Sequence, residues 1–291
     1  MPTRTLDGPP ATAPLYLKAA LPAVPLVGRL PGIRHDRGDL PDTVLARERI
    51  STDGANLAAY ADVCGFPLRN ALPVTYPHMA AFGLQMALMT DASFPFAPMG
   101  LVHLTNSITQ YVPIDVTDEY ALTVQAANLR PHPRGRLVDL VSRATVDGTL
   151  VWEETSSYLA RGRRDDSVAV DSPVSDVEVP TGSTLWKLRG DLGRRYGAVS
   201  GDRNPIHLYA LSAKAFGFPR QIAHGLWTKA RCLAALESRL DEAYRVDVEF
   251  KKPILLPGSV VFASRFADDV TFGVTSTDGA STHLVGRITA V

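Results

Sequence analysis

A chain of 291 residues is long enough for two ordinary domains or one double-sized one, and a hydrophobic content of 45% permits a full core. Its 30 basic and 30 acidic side chains cancel, so no net field draws it to nucleic acid or to an anionic membrane. The cysteines, Cys64 and Cys232, stand in apolar surroundings without CxxC pairing, which predicts buried free thiols rather than a disulfide or a zinc site.

From the N-terminus, the first thirty residues are proline-rich and predict an extended arm packed on the body. Pro22 and Pro25 break the best apolar stretch there, so no signal-peptide core is read. No stretch approaches the ~20 apolar residues needed to span a bilayer, and a cytoplasmic location is expected. Gly65-Phe66-Pro67 is followed by His78 and the apolar-periodic run MAAFGLQMALM, a central helix whose Met79, Phe82, Met86 and Met89 form an adaptable apolar stripe. Val112-Pro113-Ile114 and the alternating, β-branched segments around it predict antiparallel strands, with Asp147-Gly148 as a tight hairpin turn.

Residues 161–184 are polar, charged and interrupted by Pro173 and Pro180, the composition of a linker. The basic run from Arg161 to Arg164 reads as solvated surface. Beyond it the plan returns. Gly217-Phe218-Pro219, then His224 with GLWTKARCLAAL, then Lys252-Pro253-Ile254 and alternating strands with Asp278-Gly279, follow the order of the first half about half a chain length later. Shared order at that spacing argues for two copies of one unit.

One constellation looks built for chemistry. Asp202-x-Asn204-x-x-His207, flanked by Gly201 and Pro205, sets an acid, an amide and an imidazole in a fixed turn rather than on one helix face. An Asx-type turn bonding only its own backbone would use the same residues. A calcium loop would need later acidic ligands and a loop glycine that are missing. Farther on, Ile222-Ala223-His224-Gly225 opens a second apolar-periodic run. Gly225 there would offer its N–H at the positive end of a helix with no side chain to block a ligand oxygen. A histidine entering a helix, as His224 does, reads as a packed or capping residue outside the acid–base pair.

The run Tyr196-x-x-x-Ser200-Gly201-Asp202-x-Asn204-Pro205-Ile206-His207, followed by Gly217-Phe218 and Ile222-Ala223-His224-Gly225, closely resembles the signature of MaoC-like dehydratases, the R-specific enoyl-thioester hydratases of the hot-dog fold. The resemblance implies an α+β double hot dog, with two antiparallel sheets each wrapped around a central helix. Residues 1–160 would be a degenerate N-terminal unit, 161–184 the linker, and 185–291 the catalytic unit. It implies Asp202 and His207 as the catalytic dyad, Asn204 and Ser200 as supporting residues, and Gly225 with His224 at the oxyanion and substrate-binding end.

The activity implied is a hydro-lyase that interconverts a (3R)-3-hydroxyacyl thioester with its trans-2-enoyl thioester and water. Its substrate would ride on CoA or acyl carrier protein, with no metal and no redox cofactor. A homodimer is compatible with the fold. A hot-dog thioesterase or a non-catalytic acyl-thioester-binding protein are the alternatives. The methionine stripe would then be plain core or the wall of a groove for a long acyl chain.

Overall fold

The computed structural model describes residues 2–20, 38–170, 172–182 and 184–291. Two similar halves follow one another. The first runs from β2 (Val44–Ile50) through helices α2 (Gly54–Cys64) and α3 (Pro77–Met89) to strands β3 (Leu101–Gln110), β4 (Tyr120–His132), β5 (Gly135–Val146) and β6 (Thr149–Arg161). The second runs from β7 (Thr184–Leu188) through α4 (Leu192–Ser200), α5 (Pro205–Leu208), α6 (Ala210–Ala215) and α7 (Gly225–Leu236). It ends in β8 (Tyr244–Phe250), β9 (Gly258–Phe266), β10 (Val270–Ser276) and β11 (Thr282–Ala290). Each half curls an antiparallel sheet around an apolar helix, α3 or α7, the double hot-dog arrangement that the resemblance implies.

The two sheets are not separate. They join edge to edge where β3 pairs with β8, from Thr105 opposite Glu249 to Gln110 opposite Tyr244. The spatial order among the described residues is β1-β2-β4-β5-β6-β3-β8-β11-β10-β9-β7. Only β1 (Thr3–Thr5), parallel to β2, lies outside the duplicated pattern. Closing the β3 and β8 edges on each other satisfies backbone groups that either half alone would expose.

α3 is apolar almost all round because sheet covers it on most sides: Phe82, Met86 and Met89 are buried in the core and Met79 is half-buried. Trp152 on β6 is fully buried, its indole N–H donating to the Val74 carbonyl at 2.7 Å. Across the seam, Trp227 of α7 donates to the Val63 carbonyl of α2 at 2.8 Å. Cys64 and Cys232 are free and buried, as their surroundings predict.

Beneath the seam lies a polar network that the hydrophobic patterning conceals. Lys229 of α7 has no solvent exposure. Its Nζ donates to the Asn106 side-chain oxygen at 2.5 Å and to the backbone carbonyls of Asn106 on β3 and Val246 on β8. Asn106 in turn donates to Glu154 at 2.7 Å, and Glu154 takes the His78 Nδ1–H at 2.8 Å and a Gln85 amide hydrogen. Burial pulls the Lys229 ammonium down to about 7, against the attraction of Glu154 and Asp247.

The internal repeat holds, with two of its sequence pairings corrected. Gly65 does not correspond to Gly217: it ends α2, the helix after the first long strand of its half, as Gly201 ends α4, both in the left-handed region (φ 83° and 75°), whereas Gly217, also left-handed (φ 85°), follows α6, which has no counterpart in the first half. Nor does His78 correspond to His224: it is the second residue of α3, whereas His224 stands before α7. Each half then makes an isolated antiparallel bridge, Ala71 to Asp115 and Ile222 to Leu255, so the Pro-Ile pairing stands. Between glycine and bridge the first half spends residues 66–70 and the second residues 202–221. The acid–amide–imidazole turn is therefore part of an excursion that the first half lacks.

The two hairpin turns also differ. Asp147 and Gly148 both take positive φ (49° and 78°), whereas at Asp278-Gly279 only the glycine does.

Two further expectations are revised. Residues 2–20 are not an extended arm: they form β1 and helix α1 (Thr12–Ala20), while the remainder of the expected arm, 21–30, lies outside the described residues. The polar segment 161–184 is partly tied down, with Val174 buried and Arg287 of β11 bonded to Asp176 and to the Pro173 carbonyl. Arg161 to Arg164 are exposed, Arg164 pairing with Asp166.

Two consequences can be measured. Residues 184–291 expressed alone would leave the β8 edge and Lys229 without their partners, so size-exclusion chromatography should show self-pairing or aggregation, not a stable monomer. Replacing His78 by Ala removes one hydrogen-bond donor from a fully buried Glu154, and urea unfolding should report a loss of about 1–3 kcal/mol. Asp62→Ala, which breaks only the exposed ion pair with Arg195, should be close to neutral.

Candidate active site

The excursion begins where α4 stops. Ser200 accepts the Asp202 backbone N–H at 3.2 Å while its own hydroxyl donates to the Tyr196 carbonyl at 2.8 Å, closing the end of α4. Asp202 Oδ1 accepts the Asn204 N–H at 3.1 Å, and Asn204 Oδ1 caps α5 by accepting the Ile206 N–H at 3.3 Å. The Asx-turn reading and the dyad reading thus describe one object: the local bonds shape the turn that brings Asp202 and His207 together. Asn204 works by fixing the backbone between them.

Two glycines on α4 allow this turn to lie against the helix. A Cβ on Gly193 would sit 1.9 Å from the His207 carbonyl oxygen, and one on Gly197 would sit 2.7 Å from that of Asp202. Neither approach tolerates a side chain. Arg194 secures the far end of the turn, donating to the Leu208 carbonyl at 2.9 Å and covering the Tyr209 ring.

His207 is buried and its Nδ1 lies 2.8 Å from the Ile222 carbonyl. A carbonyl only accepts, so Nδ1 carries the proton and Nε2 keeps a lone pair. The His207 and His224 rings stack with centroids 3.7 Å apart. His224 Nε2 donates to the Asp202 backbone carbonyl at 3.0 Å and lies 3.8 Å from Asp202 Oδ2, and its buried Nδ1 has no hydrogen-bond partner among the described residues.

His224 precedes α7 but makes no cap bond. The capping alternative therefore fails, and the packed one holds in an unexpected place. The side-chain donors of Asp202, His207 and His224 lie within 4.8 Å of one another, a spacing that suits proton exchange through one water.

Burial dominates the electrostatics. It pushes the His207 imidazole below its ordinary range, against the pull of Asp202, and takes His224 down to about 3 with the neighbouring His207 adding to the effect. Burial works on Asp202 in the opposite sense. There it is outweighed by the imidazoles of His224 and His207, the Tyr16 hydroxyl and the Asn204 N–H, and the carboxyl sits below its usual value. One negative charge on the carboxylate beside two neutral rings is the resting state these directions describe near neutral pH. With a quarter of its side chain exposed, Asp202 is the most open of the three.

Gly225 begins α7, so its N–H has no intrahelical partner and points out of the positive end of the helix. The ring of Phe250 lies 3.0 Å from where a Gly225 Cβ would be. The side-chain-free entrance is thus enforced by protein packing. Phe250 and Tyr158 flank His103, at ring distances of 5.0 and 4.5 Å, and form an aromatic wall beside this entrance. In the first half, His78, the second residue of α3, is enclosed with Glu154. Asp62 and Asn70 lie elsewhere, Asp62 on Arg195.

Three contributors were not legible as such in the sequence: Gly193 and Gly197, whose four-residue spacing in a short helix was the available signal, and Tyr16. The Tyr16 hydroxyl donates to Asp202 Oδ1 at 2.5 Å from a helix far away in sequence.

A direct check is Gly193→Ala. In an unobstructed helix this change adds about 0.5–1 kcal/mol of stability; here the new methyl must displace the His207 backbone. Thermal unfolding should show a loss in place of that gain, and turnover should fall about 10²-fold through misplacement of the imidazole.

Comparison with known proteins agrees with this geometry. A family model described as the MaoC like domain matches residues 178–281. Over 244 residues, covering 84% of this chain and 85% of the relative, the sequence is 41% identical to 3-hydroxyacyl-thioester dehydratase X of Mycobacterium tuberculosis. A crystal structure of that protein, HtdX, superposes with a TM-score of 0.75 at 37% identity, covering 85% of this chain and all of the other. Enoyl-CoA hydratase ChsH3 of the same organism is 34% identical over 104 residues, a third of this chain and 35% of its own. At 17% identity the fold alone is shared with a MaoC-like dehydratase from Phytophthora capsici, with a TM-score of 0.71 over 88% of this chain and 97% of the other. Two halves on one strand order, an acid and two imidazoles in the turn, and likeness over most of both chains lead to one conclusion: this chain belongs to the MaoC-like dehydratase family.

Proposed function

We propose that the chain is a hydro-lyase that interconverts a (3R)-3-hydroxyacyl thioester and the trans-2-enoyl thioester plus water, with Asp202 and His207 as its acid–base pair. The observation that carries this reading is the juxtaposition of the Asp202 carboxylate and the His207 imidazole beside the N-terminus of α7. The reaction moves a proton at Cα, exchanges a hydroxyl at Cβ and places negative charge on the thioester oxygen. The site offers a group for each task.

Hydration then proceeds as follows. A water held between Asp202 Oδ2 and His207 Nε2 loses its proton to the pair and attacks Cβ. The thioester oxygen, now enolate-like, is met by the Gly225 N–H and the helix dipole behind it. The proton is returned from the pair to Cα, and dehydration runs the same steps backwards. Because carboxylate and imidazole sit in one hydrogen-bonded turn, they titrate as a unit, and the pH profile belongs to the pair. His224, stacked on His207 and bonded to the Asp202 backbone, holds both members in place.

The architecture supports a division of labour. Residues 1–160 form the half without a catalytic turn, residues 161–184 connect it, and residues 185–291 carry the chemistry. The acyl group is delivered on CoA or on an acyl carrier protein. Among the described residues no helix is long and apolar enough to cross a membrane.

The thioesterase alternative calls for a carboxylate on or near the central helix. Leu226, Trp227 and Thr228 offer none, and the next acid, Glu237, comes only after the end of α7.

Asp202→Asn, which keeps shape and removes the base, should lower turnover on an enoyl thioester by ~10²–10⁴-fold. His207→Ala should match it, and the double variant should be little worse than either single one. Loss of enoyl absorbance with 3-hydroxyacyl thioester as the product, and no release of free thiol, would establish hydration. Thiol release would make the chain a thioesterase, and near-normal turnover in a folded Asp202→Asn variant would remove the dyad assignment.

A further inference from the structure

Helix α1 lies outside residues 178–281, the part that matches the family model, yet it reaches into the catalytic turn. Two close contacts seat it: Pro10 lies 3.4 Å from where a Cβ on Gly83 of α3 would be, and Thr12 lies 3.4 Å from the corresponding point on Gly201. From that seat Tyr16 sends its hydroxyl 2.5 Å from Asp202 Oδ1. Oδ1 already accepts the Asn204 N–H, so the two donors occupy it from opposite parts of the chain. Oδ2 is left facing His224 and the opening, with no hydrogen bond of its own among the described residues.

We infer that Tyr16 is a positioning residue of the active site: by donating to Oδ1 it orients the Asp202 carboxylate so that Oδ2 is the oxygen presented to water, and it keeps that carboxylate ionised. This rests on Asp202 being the acid–base group of the hydratase reading. The physical basis is that a donor to the charged form of a carboxyl favours that form. A hydroxyl buried beside an anion serves well as this donor: burial and the neighbouring Asp202 push the Tyr16 phenol well above its ordinary range, so it keeps its proton. The other titratable groups turned towards Asp202 are His207 in its own turn, His224 before α7, Tyr196 of α4 and Tyr158 of β6. Both histidines are pushed neutral by burial and neither tyrosine bonds to the carboxylate, so Tyr16 is the side-chain donor that Oδ1 depends on.

The test uses the full-length protein with Tyr16→Phe, which keeps the ring in its seat and removes only the hydroxyl. With aspartate carboxyl carbons labelled with ¹³C and the Asp202 signal assigned from Asp202→Asn, NMR titration should show the Asp202 midpoint rising by about one pH unit. The acid limb of kcat/KM for an enoyl thioester should move up with it, because the carboxylate is now lost at a higher pH. kcat at neutral pH should fall about tenfold with KM little changed.

An unmoved Asp202 midpoint overturns the inference, even if turnover falls, since Tyr16 would then merely support α1. Faster turnover overturns it too, by making α1 an obstruction. The carboxyl titration needs no substrate. A wild-type protein inactive on enoyl thioesters would therefore defeat the functional reading while the titration still decides the role of Tyr16.

Discussion

Everything in this molecule hangs from an ammonium group that water does not reach. Lys229 binds the backbone carbonyls of Asn106 and Val246, one on each of the two strands that meet at the seam, and through the Asn106 side chain it joins Glu154 and His78. Taking such charges out of water is expensive, and a half-made network would be worse than an apolar one. Completion is possible only when β3 and β8 are paired in one register, so the network selects that register. It also fixes α7 from its side. The entrance of α7, with the first N–H of Gly225, is therefore held by a residue one turn further along, and its position is inherited from the join between the halves.

The pseudo-symmetry makes the divergence of the halves readable. Ile108 pairs with Val246 across the seam, with Glu154 on β6 and with Ile288 on β11 as their respective outer neighbours. A carboxylate thus lies beneath one central helix where an isoleucine lies beneath the other. In the first half His78, the second residue of α3, donates to that carboxylate. In the second there is no such acid below, and His224, the residue before α7, stacks on His207 and meets the Tyr196 ring at a tilt. The two histidines enter their helices at different positions and take a structural and a site-building place according to which side supplies the acid.

The acid–amide–imidazole turn was legible because it is local: a carboxylate, an amide and an imidazole around a glycine and a proline can be read without knowing what lies nearby. The central helices and strand runs were legible through apolar period and turn residues. What stayed hidden is tertiary. Lys229 occupies the apolar stripe of α7 between Leu226 and Leu233, a spacing that marks it for burial, but nothing local names Asn106 as its partner. Tyr16 meets Asp202 across most of the chain length. The Gly-Phe-Pro repetition misled because the second copy ends α6, a helix inside the excursion that the first half lacks. All three glycines, Gly65, Gly201 and Gly217, are left-handed, and it is the order of strand, helix and bridge that pairs Gly65 with Gly201.

The excursion leaves the shared frame at Gly201 and returns to it at the Ile222 bridge, while the first half crosses the same gap with residues 66–70. Scaffold and chemistry are consequently separable inheritances. A duplicated half can gain or lose its reactive groups by lengthening or trimming one connection, leaving strand register, seam and central helix untouched. A homologue with the short connection in both halves would keep the frame of two wrapped helices and the joined sheet while lacking the acid–amide–imidazole turn altogether.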